Sequence, residues 1–300
     1  RAVGMIRGLD LEVIGALLDE PRLAGAIVAA FDVQGPIVDP RGTFRLEARG
    51  GPVGPIRRLD LVTLVELLPD RSRLVAGIEV DEQPPAEIRA LVQAPPRAFI
   101  DGTAPPSTPA ELFIDVPGIE LGRLGGLASR PQIRALVTGA AGESPLLSGT
   151  LAARGAFRGT LADLPGELRI VAEDLSVRGV PLGGAELLVE QGASVSAWLA
   201  AIDPRAGTLS VRASLDGAVS PLGLARRGEA LFRAMRARVE AQGSGLDLAP
   251  LALVSSINRA FGRADLEARA EGPLFALEPV GRLQVRDGAI ELVGGPRYQE

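Results

Sequence analysis

Along most of the chain, apolar and polar residues alternate with a period of two. In TFRLEARG (43–50), Phe44, Leu46 and Ala48 alternate with Thr43, Arg45, Glu47 and Arg49. In TLSVRASLDG (208–217), Leu209, Val211, Ala213 and Leu215 alternate with polar residues, and in RADLEARAEG (263–272) Leu266, Ala268 and Ala270 do the same. A period of two places successive side chains on opposite faces, so each segment predicts a strand with one apolar and one polar face. In GRLQVRDGAIEL (281–292), Leu283, Val285, Ile290 and Leu292 flank Asp287-Gly288. Alternation around Asp-Gly predicts a hairpin, with Val285 opposite Ile290 and Leu283 opposite Leu292. Asp-Gly recurs at 101–102 and 216–217. It reads as turn chemistry, because both residues tolerate positive φ, and no carboxylates of calcium-loop spacing accompany it.

The strands belong to a repeat. GLDL occurs at Gly8 and at Gly245; in each copy 16 residues lead from the first Leu to a Gly (Gly25, Gly262), and 10 more to a second (Gly35, Gly272). Pro-x-Gly follows, at 40–42 and 279–281, then an alternating strand. The last gap differs by two residues, which leaves every side chain on its original face. Weaker copies fill the middle: Leu59-Asp60-Leu61, Ile119-Glu120-Leu121, and the Gly207 to Gly217 spacing. The spacing predicts five approximate modules, 1–58, 59–117, 118–192, 193–244 and 245–300, added in solenoid fashion along one continuous segment.

Short helices are expected at Val13 to Leu18, at Val62 to Leu68, and from Pro250 to Phe261, where Leu251, Val254, Ile257 and Phe261 fall near helical spacing. LARRGEALFRAMRARVEA (224–241) reads as a short helix running into a strand; five Arg residues also allow an amphipathic helix on a membrane surface. The Pro-rich stretch 84–118 fits the repeat poorly and reads as an insertion loop. Trp198, the single Trp, is read as a core residue.

Composition narrows the function. With 37 Gly and 24 Pro but no Gly-X-Y period, these residues punctuate many short strands, so the fold class is all-β with a few short helices. His and Cys are absent and all 32 basic residues are Arg, which leaves no Ser-His-Asp or Cys-His arrangement, no usual zinc ligand set, no Walker A lysine and no Schiff base. No carboxylate pair stands out for glycosidase chemistry, so catalytic residues, metal ligands and cofactors are all expected to be none. A net charge of −5 with 3% aromatics shows no basic stripe and no stacking platform, which argues against nucleic acid. The longest apolar run, LAGAIVAAF (23–31), is about half of what a spanning helix needs. The first residue is Arg1 rather than Met and no signal-peptide pattern follows it, so the chain is expected to be an internal segment of a longer protein.

The tail LDLAPLALVSSINRAFGRADLEARAEGPLFALEPVGRLQVRDGAIELVGG (246–295) resembles the AsmA-like repeat proteins of Gram-negative envelopes, and among them the TamB group (translocation and assembly module subunit, DUF490). LSVRGVPLGGAELLVEQG (175–192) and the first fifty residues carry the same pattern, though each motif is low in information. The resemblance implies an elongated, twisted sheet folded into an open groove, a β-taco, with an apolar inner wall. It implies a bridge across the periplasm, conducting phospholipid between the inner and outer membranes and linked to outer-membrane biogenesis and protein secretion. Expected partners are phospholipid acyl chains, an outer-membrane BamA/TamA-like barrel protein, and the inner membrane through an anchor outside this segment. The lining residues would be Phe44, Leu46, Leu209, Val211, Leu215, Leu266, Ala268, Leu283, Val285, Ile290 and Leu292. The residues alone leave open a closed core, a β-repeat scaffold, a chaperone-like factor, and an exposed edge that templates strand pairing.

Overall fold

The computed structural model describes residues 1–10, 25–36, 39–50, 58–81, 83–101, 103–124, 147–177, 180–192, 194–203, 207–217, 219–220, 223, 229–249, 257–292 and 297–299. Among the described residues sixteen strands form one sheet: β1 (Ala2–Asp10), β2 (Gly25–Gln34), β3 (Arg41–Gly50), β4 (Leu59–Leu67), β5 (Ser72–Val80), β6 (Ala86–Val92), β7 (Pro109–Glu120), β8 (Leu147–Thr160), β9 (Gly166–Val177), β10 (Val180–Gln191), β11 (Val195–Asp203), β12 (Gly207–Leu215), β13 (Arg236–Asp247), β14 (Ile257–Pro273), β15 (Glu278–Leu292) and β16 (Arg297–Gln299). Their order in the sheet is their order in the chain, every neighbouring pair is antiparallel, and β1 and β16 do not meet. Among the described residues three short helices interrupt it: α1 (Pro96–Ile100), α2 (Leu121–Leu124) and α3 (Glu229–Arg233). Odd-numbered strands run from one long rim of the sheet, here the first rim, to the opposite, second rim.

The register keeps the apolar residues in phase across the sheet. One row runs Phe31, Phe44, Val65, Leu74, Ala90, Leu112, Phe157 from β2 to β8. Another runs Ala153, Ile170, Leu187, Leu199, Val211, Ala241, Ala268, Gly281 from β8 to β15. A slip by one residue in any strand would turn its apolar set to the other side. The opposite face carries cross-strand ion pairs, Arg158 with Glu111 at 2.9 Å, Arg154 with Asp115 at 3.3 Å and Arg169 with Glu186 at 2.8 Å. All are solvent-exposed, so they keep that face wet rather than contribute much stability.

Every register shift among the described residues lies nearer the second rim. The Asp287-Gly288 pair belongs to one of these shifts, and the expected hairpin is corrected: both residues lie inside β15. Val285 pairs with Ala264, Ile290 with Ala260 and Tyr298, and Leu283 with Leu266. Asp287 does take positive φ, 49°, but it forms a bulge opposite Gly262, itself at φ 96°. A Cβ on Gly262 would stand 2.4 Å from the Gly288 Cα, so only glycine admits this approach. The extra residue restores the phase: Leu283, Val285 and Ile290 share one face as expected, though as one bulged strand. The same device joins Gly149 (φ 121°) to Asp174 (φ 52°) between β8 and β9. Such bulges bend strands and increase twist, which curves the sheet along one rim.

Three further expectations change. Val62 to Leu67 lies within the strand β4, not a helix, because Val62 and Leu64 add apolar residues to the face of Asp60 and Glu66, and the mixed pattern matches helical spacing by accident. Ile257 to Phe261 opens β14, while 250–256 and the candidate helix Val13 to Leu18 lie outside the described residues. The stretch 84–118 is not an insertion: it supplies β6, α1 and β7. The helix-to-strand reading of 224–241 holds, as α3 and then β13.

Candidate functional site

Among the described residues no second sheet or helical layer covers the middle of the apolar face. The accessible surface is 18188 Å² for 31.1 kDa, whereas a compact monomer of that mass exposes about 12,000 Å². Residues in the middle of the rows, such as Leu46, Leu61, Leu74, Leu187, Val211 and Leu266, stay only half-buried. In a sheet sandwich these positions would be the core.

Coverage occurs at the rims. At the first rim the β6–β7 connection, with α1, packs on the sheet: Ala104, Ala110, Leu161 and Leu164 are buried, against Val92, Leu112 and Phe157. The β8–β9 turn fastens this cap, with the Leu161 amide donating to the Thr108 carbonyl (2.9 Å) and the Ala162 amide to that of Pro106 (3.0 Å). The Gln191 Nε2 donates to the carbonyls of Leu164 (2.8 Å) and Val219 (2.7 Å), tying that turn to the β12–β13 connection. Further along, the Leu274 amide donates to the Met235 carbonyl at 3.0 Å. At the second rim Leu248 folds over Ala260 and Ala264, beside Val285 and Ile290. Its amide donates to the Gly262 carbonyl at 3.1 Å, and the Gly245 amide to Asp265 Oδ1 at 3.0 Å.

Ten of the eleven residues expected to line a groove fall on this face; the side chain of the eleventh, Leu292, lies outside the described residues. Phe44 and Leu46 lie on β3, Leu209, Val211 and Leu215 on β12, Leu266 and Ala268 on β14, and Leu283, Val285, Ile290 and Leu292 on β15. Leu209, Gly243, Leu266 and Leu283 form one row across β12 to β15. The β3 residues stand nine strands away, about 43 Å along the sheet. Phe44 is 37% exposed and Leu283 48%, whereas Val285 and Ile290 are partly covered by Leu248. No family model, curated protein or solved structure matches the chain. Its reading therefore rests on its own geometry.

Among the described side chains within the strands the face is nearly free of polar groups: Thr63, Ser72 and Gln191 lie on it. The ion pairs stand on the other side. There Arg1 donates to Asp32 through Nε (3.1 Å) and Nη2 (2.7 Å), which holds the Asp32 carboxyl below the usual range. Among the described residues no group of acidic side chains could hold a metal ion, and no helix is long and apolar enough to cross a membrane. Sequence reasoning missed the middle rows, Ile170 and Leu187 among them. Their alternation was visible, but β9 and β10 lack the Gly-Leu-Asp-Leu landmark.

Proposed function

We propose that this chain is a segment of a bridge protein that carries phospholipid acyl chains along its uncovered aliphatic face, between the inner and outer membranes of a Gram-negative envelope. The observation that supports the reading is the aliphatic face that continues from strand to strand across the sheet, half-exposed in its middle rows and, among the described side chains, interrupted only by Thr63, Ser72 and Gln191. Water against such a surface is unfavourable by roughly 25 cal/mol per Å² of apolar area. An acyl chain relieves that cost without needing any specific partner group, so it can be held and still slide along similar aliphatic neighbours. A buried unpaired polar atom would pin it or repel it at about 1–3 kcal/mol.

In this reading the protein acts in the periplasm. The inner membrane holds an anchor on a neighbouring part of the chain, and an outer-membrane barrel protein receives the far end. Photoreactive residues at Leu46 and Leu266, irradiated in cells and followed by lipid extraction of the adducts, test the proposal. Phospholipid adducts at both positions are expected; adducts to protein alone would refute it.

A further inference from the structure

The face opposite the aliphatic wall changes character along the sheet. From β7 to β10 its charges close on each other, Arg158 on Glu111, Arg154 on Asp115 and Arg169 on Glu186. From β12 to β15 opposite charges again face each other in the register: Arg212 opposite Glu240, Glu240 opposite Arg269, and Glu267 opposite Arg282. Among the described residues none of these five closes into an ion pair; in the same region only Arg238 reaches Glu271, at 3.4 Å. The five side chains stand apart around two hollows instead. The first, of 580 Å³, crosses β10 to β13 between Glu190, Ser196, Ser214 and Arg238 on one side and Arg212 and Glu240 on the other. The second, of 410 Å³, crosses β13 to β15 between Glu240 and Arg269 on one side and Gln242, Glu267 and Arg282 on the other. Glu240 lines both, so they form one trough across six strands, about 24 Å long at about 4.8 Å per strand spacing.

The chemistry of the lining narrows what fits. A guanidinium offers only donors and a carboxylate only acceptors, whereas a hydroxyl group is both. One hydroxyl can therefore accept from Arg212 while donating to Glu240, and bridge a pair that does not meet directly. The trough's four arginines and three glutamates nearly cancel, so it does not draw a polyanion or a polycation by charge. A peptide laid along it would cross the strands rather than lie beside one, and so could not add itself to the sheet. Strands about 4.8 Å apart present a new set of polar groups at close to the advance of one pyranose ring along an extended β-linked chain.

From this we infer that the trough binds an extended, uncharged carbohydrate chain, one ring per strand crossed. It lies on the face that the lipid-carrying reading leaves unused, and stands or falls independently of that reading. The test titrates the purified chain with β-1,4-linked oligomers of glucose and of N-acetylglucosamine, two to six rings long, followed by calorimetry and by the amide shifts of β12 to β14. Affinity for at least one series is expected to rise with each added ring, because each ring reaches the groups of one more strand, and to persist in about 1 M sodium chloride, because no ion pair is made on binding. Arg212→Ala and Glu240→Ala each weaken the hexamer about tenfold or more. Arg154→Ala, on the same face at β8, leaves it unchanged. All three side chains are exposed, and far-UV circular dichroism verifies that each variant folds. No response to either series, an affinity that ignores length, or undiminished binding by both trough variants overturns the inference. Binding of a peptide of alternating Glu and Lys in place of the oligomers, abolished by the same salt, overturns it in favour of a polyampholyte partner.

Discussion

Gln191 offers the most exacting test of how the first rim is held. Its side-chain amide donates two hydrogen bonds, at 2.8 and 2.7 Å, to carbonyls of two different connections. Gln191→Leu keeps the size and removes both donors. Each hydrogen bond contributes about 0.5–1.5 kcal/mol net, so the loss is about 1–3 kcal/mol. It should be local, because a sheet built from sequence neighbours opens in parts. Hydrogen exchange reads it directly: protection of the Leu161 and Ala162 amides, which hold the β6–β7 cap, should fall about 5- to 150-fold, while β2 and β3 amides keep theirs. Gln191→Glu should be worse at neutral pH, since a carboxylate faces two carbonyl oxygens, and should recover partly on acidification once protonated. Exchange at Leu161 and Ala162 unchanged in Gln191→Leu would refute the idea that this residue ties the rim together.

Other substitutions separate the open wall from its covered parts. Leu283→Asp, on the exposed wall, should lower the urea midpoint little, whereas Val285→Asp, beside Leu248 and Ala264, should cost several times more; equal effects would contradict the assigned coverage. Leu248→Ala should cost about 2–5 kcal/mol, read as loss of amide protection confined to β14 and β15. Gly262→Ala should cost at least about 2 kcal/mol, from positive φ and the clash with Gly288, and a silent Ala variant would refute the bulge geometry. Asp32 is held below its ordinary pKa by Arg1, so its contribution is complete above the unfolded carboxylate range and is lost as pH falls through the lowered folded value. Amide shifts of β1 should therefore follow acid titration in the native chain and not in Asp32→Asn.

The apolar face was legible in the sequence because the period of two is a property of the strand itself. Phe44 to Ala48, Leu209 to Leu215 and Leu266 to Ala270 could be assigned to one side without knowing their neighbours. What failed were inferences that depend on those neighbours. Asp-Gly supplies positive φ equally to a two-residue turn and to a bulge, and which one forms depends on whether the following residues fold back or continue along β14. Val62 to Leu67 matched helical spacing because apolar Val62 and Leu64 on the face of Asp60 and Glu66 leave no clear phase to read. The rim coverings were invisible for another reason: Ala94, Ala104 and Ala110 are buried by what crosses over them, and alanine in a Pro-rich stretch carries no pattern. Ile119-Glu120-Leu121 was recognised as a weak repeat, yet its preceding Gly118 and the bulge there tie it to Gly8 and Gly245.

A sheet whose spatial order is its chain order also says how such a molecule can be made. Each strand needs only the strand synthesised just before it, so an emerging chain can add strands one at a time to a growing edge. Every loop to be closed joins strands adjacent in the chain, so the entropy of closing each one does not grow as the protein becomes longer. Lengthening by duplication of a run of strands would then add nothing to the difficulty of folding the rest, which makes length the property of this architecture that is easiest to change.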